Sequence, residues 1–220
     1  MEMIDQLVQS LTVYAIPLVL AITFHEAAHG YVAKRCGDLT AFKLGRVSLN
    51  PLRHVDPIGA VVVPLVMLVG AAAAGAPGFL FGWAKPVPVN FHALRNPKVH
   101  MALVAAAGPA SNLLQAIVWG ALLRLLGESS GEYLIAVATA GIVVNLILMV
   151  INLLPILPVD GGRIALSLLP DKWASNYARL EPYGFPILLV VVIAHMQMGI
   201  LDPLMNGAGQ AFVHLLRLGA

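Results

Sequence analysis

The sequence predicts an all-α polytopic membrane protein with about five hydrophobic helices. Two observations carry this prediction. Of the 220 residues, 59% are hydrophobic and only 11% are charged, whereas soluble domains carry about 25% charged residues. Apolar runs of about 20 residues, the length of helix that crosses a hydrocarbon core, also recur along the chain. We therefore expect a single membrane-embedded domain over residues 1–220, with lipid as its solvent.

The apolar runs give the predicted helices, which cover residues 6–33, 58–75, 100–125, 133–154 and 185–201. The first run lacks the basic segment and the cleavage site of a secretory signal, so we expect the chain to retain it. Residues 203–220 are short for a span, and they suit a position in the membrane interface. The side of the membrane on which this tail lies stays open.

Basic residues orient these helices, because loops rich in Lys and Arg are retained on the cytoplasmic side. Five such residues follow the first predicted helix: Lys34, Arg35, Lys43, Arg46 and Arg53. The connection at residues 127–132 holds two acids, and only Arg124 lies beside it. We therefore place the end of the first helix inside and this connection outside. Helix 133–154 then ends on the same side as the first helix.

This topology leaves the path of residues 76–99 open. Helix 100–125 must begin inside, so the chain between it and the first helix has to cross the membrane an even number of times. We expect helix 58–75 to run outward and Phe79–Val89, with its two prolines, to return as extended or re-entrant chain. Such backbone is tolerated at membrane depth only when it is buried in protein or lines a watery cavity.

A His-Glu-x-x-His pattern closes the first predicted helix, at His25, Glu26 and His29. Residues four apart lie on one helix face, so the two imidazoles can bind one zinc ion, and Glu26 can reach a water that the metal activates. A catalytic zinc site usually has three protein ligands and lowers the pKa of water to about 7. Ionisable side chains within membrane helices are costly and usually mark function. The pattern therefore predicts a catalytic Zn²⁺ site.

The third ligand must come from elsewhere, and Asp160 is the strongest candidate. It is the only acid between Glu132 and Asp171, and it follows a helix that is predicted to end on the same side as the histidines. The alternative is that Asp160 and the glycines after it form an ordinary tight turn, as Asp-Gly pairs commonly do. The spacing alone leaves both readings open.

These motifs together resemble the site-2 proteases, a family of zinc intramembrane metalloproteases. In that family the His-Glu-x-x-His helix is paired with a distant Asn-x-x-Pro-x-x-x-x-Asp-Gly motif, which is matched here by Asn152, Pro155, Asp160 and Gly161. The family also shows a pattern like the one at residues 108–112 (Gly-Pro-Ala-Ser-Asn) and one like the Gly-Trp-Ala-Lys-Pro-Val at residues 82–87.

The resemblance covers core motifs within residues 20–165 and leaves C-terminal helices within residues 185–220 outside it. Family members often have Leu before the aspartate, where this chain has Val159. We recognise no PDZ domain, so the expectation is a compact member that consists of the core alone.

The resemblance implies a role for each matched residue. His25, His29 and Asp160 would bind zinc, and Glu26 would act as general base toward water and then as general acid toward the leaving amine. Asn112 and Asn152 would face the site, where an amide can hold an extended substrate strand or stabilise an oxyanion. The alternative for both asparagines is hydrogen bonding between helices, which is common in membranes.

The expected function is hydrolysis of transmembrane or membrane-associated proteins near the cytoplasmic side, with no nucleic-acid partner. A transmembrane substrate must unwind before attack, because unpaired backbone groups are costly in lipid. Phe79–Asn90 is the candidate for a strand edge that would pair with the unwound substrate, although it also suits an ordinary irregular loop.

Two other functions use the same residues. In a cation transporter, the histidines and Asp160 would bind a passing ion, but transporters usually contain repeats, which this sequence lacks. In an inactive scaffold the general base would have no purpose, because structural zinc sites do not need one. The remaining polar candidates are expected to serve packing or solvation, and they are His54, His92, His100, His195 and Cys36.

Overall fold

The computed structural model describes residues 2–62, 66, 85–126 and 130–218 of the chain. Within these ranges there are eight α-helices and no β-strand. The helices are α1 (Glu2–Cys36), α2 (Thr40–Lys43), α3 (Pro97–Leu126), α4 (Glu132–Asn152), α5 (Asp160–Leu168), α6 (Asp171–Ala178), α7 (Glu181–Met198) and α8 (Asp202–Leu218). The all-α class is confirmed, but the expected number of helices, about five, is too low.

The expected number of helices is too low because only apolar runs of membrane length indicate a helix in the sequence, and short helices have no such run. Helices α2, α5 and α6 have only four to nine residues, and no apolar run of membrane length marks them. Within the tail, residues 203–218 are also helical, as part of α8. The predicted helix 58–75 begins with a π-helical turn at Ile58–Val62, and all but one of its later residues lie outside the described part.

Three described helices are long and apolar enough to cross a membrane, and they are α3, α4 and α7. Helix α1 has 35 residues, a length of about 52 Å at 1.5 Å per residue. The chain is therefore an integral membrane protein, as predicted.

Helices α1, α3 and α4 pack against one another, and α5 packs against α3. The end of α1 meets the start of α3, because Ala33 and Cys36 share an apolar cluster with Leu94 and Val104. At the opposite end of α1, the Tyr133 hydroxyl donates to the backbone oxygen of Thr12. The end of α1, the start of α3 and the end of α4 therefore lie at the same end of the bundle.

The turn between α4 and α5 fixes the start of α5. A Cβ on Gly161 would lie 2.2 Å from the Leu153 oxygen, and a Cβ on Gly162 would lie 2.5 Å from the Ile156 carbonyl carbon. Only glycine permits this close approach of α5 to the turn. The cis peptide bond between Leu157 and Pro158 lies in the same turn. The Asp-Gly-Gly sequence thus both starts a helix and holds Asp160 against the bundle.

The described part of the predicted re-entrant segment Phe79–Val89 is residues 85–89, and residues 85–90 have no helical or strand structure. This stretch passes beside α1, and its Val87 side chain is buried. The earlier residues, 79–84, lie outside the described part. The predicted strand edge over Phe79–Asn90 therefore stays a prediction.

Candidate metal centre

Helix α1 carries His25 and His29 on one face, and the start of α5 brings Asp160 to them. The two Nε2 atoms are 3.0 Å apart. One carboxylate oxygen of Asp160 lies 3.2 Å from the Nε2 of His25, and the other lies 3.3 Å from the Nε2 of His29. Both histidines are buried. Three atoms that can ligate a metal thus converge from two helices that are far apart in sequence.

The geometry of these three atoms fits a zinc ion. Zinc–nitrogen bonds of 2.0–2.1 Å in a tetrahedral site place the ligand atoms about 3.3 Å apart, close to the separations of 3.0–3.3 Å observed here. The buried Oδ2 of Asp160 also accepts no hydrogen bond from any described residue. A buried carboxylate oxygen without a donor is costly, and a cation would satisfy it. The residues therefore fit Zn²⁺.

The orientation of both imidazoles is set from α3. The Nδ1 of His25 lies 2.6 Å from the Oδ1 of Asn112, and the Nδ1 of His29 lies 2.7 Å from the backbone oxygen of Val104. Both oxygens can only accept, so the hydrogen of each imidazole is placed on Nδ1. This leaves the lone pair of each Nε2 for a metal, which is the usual arrangement of metal-binding histidines.

Gly108 lies between these two contacts, and its missing side chain leaves room for the ligand atoms. A Cβ at this position would lie 2.5 Å from the Nε2 of His25 and 2.5 Å from the Nε2 of His29. Val104, Gly108 and Asn112 are spaced by four residues, so they share one face of α3. The glycine and the asparagine of the 108–112 motif therefore both face the histidines.

Asn145 was not predicted, and it completes this hydrogen-bond network. The Nδ2 of Asn112 donates to the Oδ1 of Asn145 at 2.9 Å, and the Nδ2 of Asn145 donates to the Gly141 oxygen at 2.8 Å. Both asparagine side chains are fully buried. The signal in the sequence was an amide in the middle of the most apolar helix, where polar groups are costly and usually have a partner.

Glu26 and Asn152 lie outside the group of three ligand atoms. The Oε2 of Glu26 accepts a hydrogen bond of 2.6 Å from the backbone N–H of Val87, and the side chain is half-buried. Asn152 is the last residue of α4, and its Nδ2 donates to the Leu148 oxygen within that helix. The structure therefore places Glu26 in the same helical turn as His25, and it places Asn152 at the end of the helix that precedes Asp160.

The other candidates have separate partners. The Nε2 of the buried His54 contacts the Ser48 oxygen at 2.7 Å, and the Nδ1 of His100 accepts from the Asn96 N–H. Cys36 packs in the apolar cluster at the end of α1. Among the residues that the structure describes, only His25, His29 and Asp160 form a group that could hold a metal ion.

Comparison with known proteins identifies the family, although no protein-family model and no solved structure matches the chain. The chain is 37% identical over 207 residues to YwhC of Bacillus subtilis strain 168, which is provisionally named a zinc metalloprotease. The alignment covers 91% of this chain and 89% of YwhC. The chain belongs to the site-2 protease family of zinc metalloproteases.

Longer relatives of this site-2 protease carry the same kind of provisional name. This chain is 28% identical over 177 residues to Rip2 of Mycolicibacterium smegmatis, with 80% of this chain and 64% of Rip2 aligned. It is 30% identical over 203 residues to Rip3 of Mycobacterium tuberculosis strain H37Rv, with 90% of this chain and 42% of Rip3 aligned. These names confirm a zinc metalloprotease, and they do not favour the cation transporter.

Proposed function

We propose that this site-2 protease hydrolyses peptide bonds of transmembrane or membrane-associated proteins. In this proposal His25, His29 and Asp160 hold one Zn²⁺, and Glu26 is the general base. The observation that carries it is the convergence of two Nε2 atoms and one carboxylate at separations of 3.0–3.3 Å inside a membrane bundle. A carboxylate that belongs to the same turn but not to the ligand set is what general-base chemistry needs.

When bound, Zn²⁺ lowers the pKa of water and polarises the scissile carbonyl. The chain supplies the proton transfers. Glu26 accepts a proton from the attacking water, whose oxygen forms a bond to the carbonyl carbon. The same carboxyl group then gives that proton to the amine nitrogen as the carbon–nitrogen bond breaks. Since Oε2 of Glu26 already accepts from Val87, we assign the proton transfers to Oε1.

The two asparagines take different parts in this proposal. The amide of Asn112 is engaged by His25 and Asn145, which favours a role in holding His25 over contact with substrate. The Oδ1 of Asn152 accepts no hydrogen bond within the described ranges, so it is available to a backbone N–H of the substrate. We therefore keep Asn152 as the candidate that positions substrate or stabilises the oxyanion.

The depth of the ligand atoms supports a membrane substrate. His29 precedes the end of α1 by seven residues, which is about 10 Å along the helix. Gly108 follows the start of α3 by eleven residues, or about 16 Å. A peptide bond must therefore reach below the helix ends. A helical substrate would have to unwind there, because its peptide groups are otherwise hydrogen-bonded within the helix.

Charge supports a cytoplasmic position for this end of the bundle. Eleven of the thirteen Lys and Arg residues lie in the stretches 34–53, 85–98 and 163–179, which adjoin the end of α1, the start of α3 and the start of α5. The other two are Arg124 and Arg217. Arg124 is near the end of α3, where it donates to the Leu216 oxygen of α8. Because Lys and Arg are retained in the cytoplasm, we place the active site near the cytoplasmic side and the end of α3 outside.

The decisive experiment compares zinc content and proteolysis in wild type, Glu26→Gln and Asp160→Ala. Zinc is measured by elemental analysis of the purified full chain. Cleavage is measured as new peptide termini in the membrane fraction of the expressing cells. We expect Asp160→Ala to lose zinc, and Glu26→Gln to keep zinc while cleavage falls by about 10²–10⁴-fold.

Glu132→Gln is the matched control, because it makes the same change at an exposed carboxylate on α4. It should retain both zinc and cleavage. Full activity in Glu26→Gln would overturn the proposed mechanism. Transport of zinc across a proteoliposome bilayer, with no Glu26-dependent termini, would favour a cation transporter instead.

A further inference from the structure

The sequence Pro86-Val87-Pro88 isolates one backbone donor beside the proposed base. Proline has no N–H group, so Val87 is the only residue of the three that can donate from its backbone. That N–H donates to the Oε2 of Glu26 at 2.6 Å. Proline also holds the residue before it in an extended conformation, and both Lys85 and Val87 precede a proline.

Helix α1 is shaped to receive Val87. A Cβ on Gly30 would lie 3.2 Å from the Cγ1 of Val87 and 2.9 Å from the Cγ2 of Val47. Gly30 and Glu26 are four residues apart, so they lie on the same face of α1. The bare backbone at Gly30 lets Val87 approach the helix, and this approach brings the Val87 N–H to the carboxylate one turn away.

Buried side chains hold the segment on the N-terminal side of Val87. The Nη2 of Arg46 donates to the Lys85 oxygen at 2.6 Å and to the Pro86 oxygen at 3.2 Å. The N–H of Lys85 donates to the His54 oxygen at 2.9 Å. Arg46 and His54 are both buried, so both anchoring residues are held within the protein.

A carboxylate holds the segment on the C-terminal side. The Oδ2 of Asp38 accepts from the Asn90 N–H at 2.7 Å, and its Oδ1 accepts from the Thr40 N–H at 2.8 Å. Asp38 is 1% exposed. With anchors on both sides, the Val87 N–H has little freedom to leave the Glu26 carboxylate.

We propose that Val87 is a positioning residue whose backbone N–H holds Oε2 of Glu26 and so directs Oε1 toward the attacking water. The inference rests on the proposed function of Glu26 and assigns a purpose to the Pro-Val-Pro sequence. Hydrogen bonds from N–H groups to a carboxylate are among the stronger ones in proteins, because the acceptor is charged. The contact therefore orients the base before substrate arrives.

The test replaces Val87 with its α-hydroxy analogue in the full-length chain, which changes the N–H to an ester oxygen and keeps the side chain. The matched control is the same replacement at Val47, which lies outside the predicted strand edge and whose N–H donates to no residue in the described part of the chain. We expect Glu26-dependent cleavage termini to form about 10- to 100-fold more slowly in the Val87 ester, in line with loss of a hydrogen bond to a charged group. Zinc content should not change, and the Val47 ester should resemble wild type.

A substrate-independent measurement is the infrared carboxylate band of Glu26, isolated by subtracting the spectrum of Glu26→Gln. This band should shift in the Val87 ester and stay in place in the Val47 ester. An unshifted band together with wild-type cleavage in the Val87 ester would overturn the inference. That outcome differs from failure of the proposed function, in which Glu26→Gln itself would remain active.

Discussion

At the scale of single residues, the metal centre depends on Gly108, whose lack of a side chain leaves room for the ligand atoms. A Cβ at Gly108 would lie 2.5 Å from the Nε2 atoms of both His25 and His29. We expect Gly108→Ala to weaken zinc binding by about 10- to 100-fold, because overpacking a tight site typically costs 1–3 kcal/mol. Competition with a chelator measures the affinity.

The control for Gly108→Ala is Gly209→Ala on α8, where an added Cβ meets no atom within 4 Å. This variant should bind zinc as wild type does. Wild-type affinity in Gly108→Ala would mean that the two imidazoles can move away from α3 without losing the metal.

The hydrogen-bond network behind His25 gives a second prediction at this scale. Asn112→Leu removes the acceptor of the His25 Nδ1 hydrogen, and such partners of metal ligands are typically worth 10–100-fold in metal affinity. Asn145→Leu removes the residue that holds Asn112, so it should weaken zinc binding in the same direction. The competition assay, combined with thermal melting, separates loss of metal affinity from loss of fold.

Thr139→Val serves as the control for these variants, because the Thr139 hydroxyl donates only to the Ile135 oxygen within α4. Zinc affinity should not change in it. Unchanged affinity in Asn112→Leu would contradict the assignment of Asn112 to the orientation of His25.

The proximity of the two histidines could be predicted from sequence, because helical spacing places His25 and His29 on one face of α1 with Glu26 in the same turn. The scarcity of acids and the topology made Asp160 a candidate third ligand but left the turn alternative open, and the resemblance to the site-2 proteases favoured the ligand role. The link from Asn145 through Asn112 to His25 was not predictable, since it joins three helices whose relative rotation no spacing rule provides. The role of Gly108 depends on that rotation in the same way.

At the scale of secondary-structure elements, Asp38 joins the end of α1 to the segment at residues 85–90. Burial alone would raise the pKa of Asp38, but hydrogen bonds from Thr40 and Asn90 outweigh burial and hold the pKa below its ordinary value. A carboxyl group with a lowered folded-state pKa stabilises the fold above its unfolded pKa of about 3.9. This contribution disappears as the pH falls through the folded-state pKa.

We therefore expect Asp38→Asn to destabilise the protein by about 2 kcal/mol at pH 7, the scale of hydrogen bonds to a charged group. The difference from wild type should shrink as the pH falls below the ordinary Asp pKa of about 4, and it should disappear at lower pH, where the Asp38 carboxyl of the folded protein becomes protonated. Melting temperatures in detergent at both pH values give this comparison. Asp202→Asn, at an exposed carboxylate of α8, should show neither effect, and a constant deficit in Asp38→Asn at both pH values would contradict the pKa argument.

Long apolar elements were predictable, and short amphipathic ones were not. The predicted helices 100–125 and 133–154 correspond to α3 and α4 within three residues at each end, because lipid demands long uninterrupted apolar runs. Helices α5 and α6 have nine and eight residues. Their positions depend on contacts such as the close approach of Gly161 and Gly162 to the preceding turn, which composition cannot reveal.

At the scale of the whole molecule, the bundle separates two ends that differ in charge. Helix α4 begins at Glu132 near the acidic connection and ends at Asn152 near Asp160. Its 21 residues span about 31 Å, close to the thickness of a hydrocarbon core. Most basic residues lie at the end of the bundle that holds the ligand atoms. The candidate metal site is therefore at the basic end of the bundle, and the acidic connection is at the other end.

This polarity gives the last prediction, in which single cysteines report the side of each end. Cys36 is the only cysteine, so Cys36→Ser supplies the background. Glu132→Cys and Lys172→Cys are then placed at exposed positions. A membrane-impermeant maleimide should label Glu132→Cys in intact cells and Lys172→Cys only after permeabilisation, because basic loops stay in the cytoplasm. Labelling of both cysteines from one side would contradict the arrangement that brings Asp160 to the histidines. The reverse pattern would keep that arrangement but move the active site to the outer face.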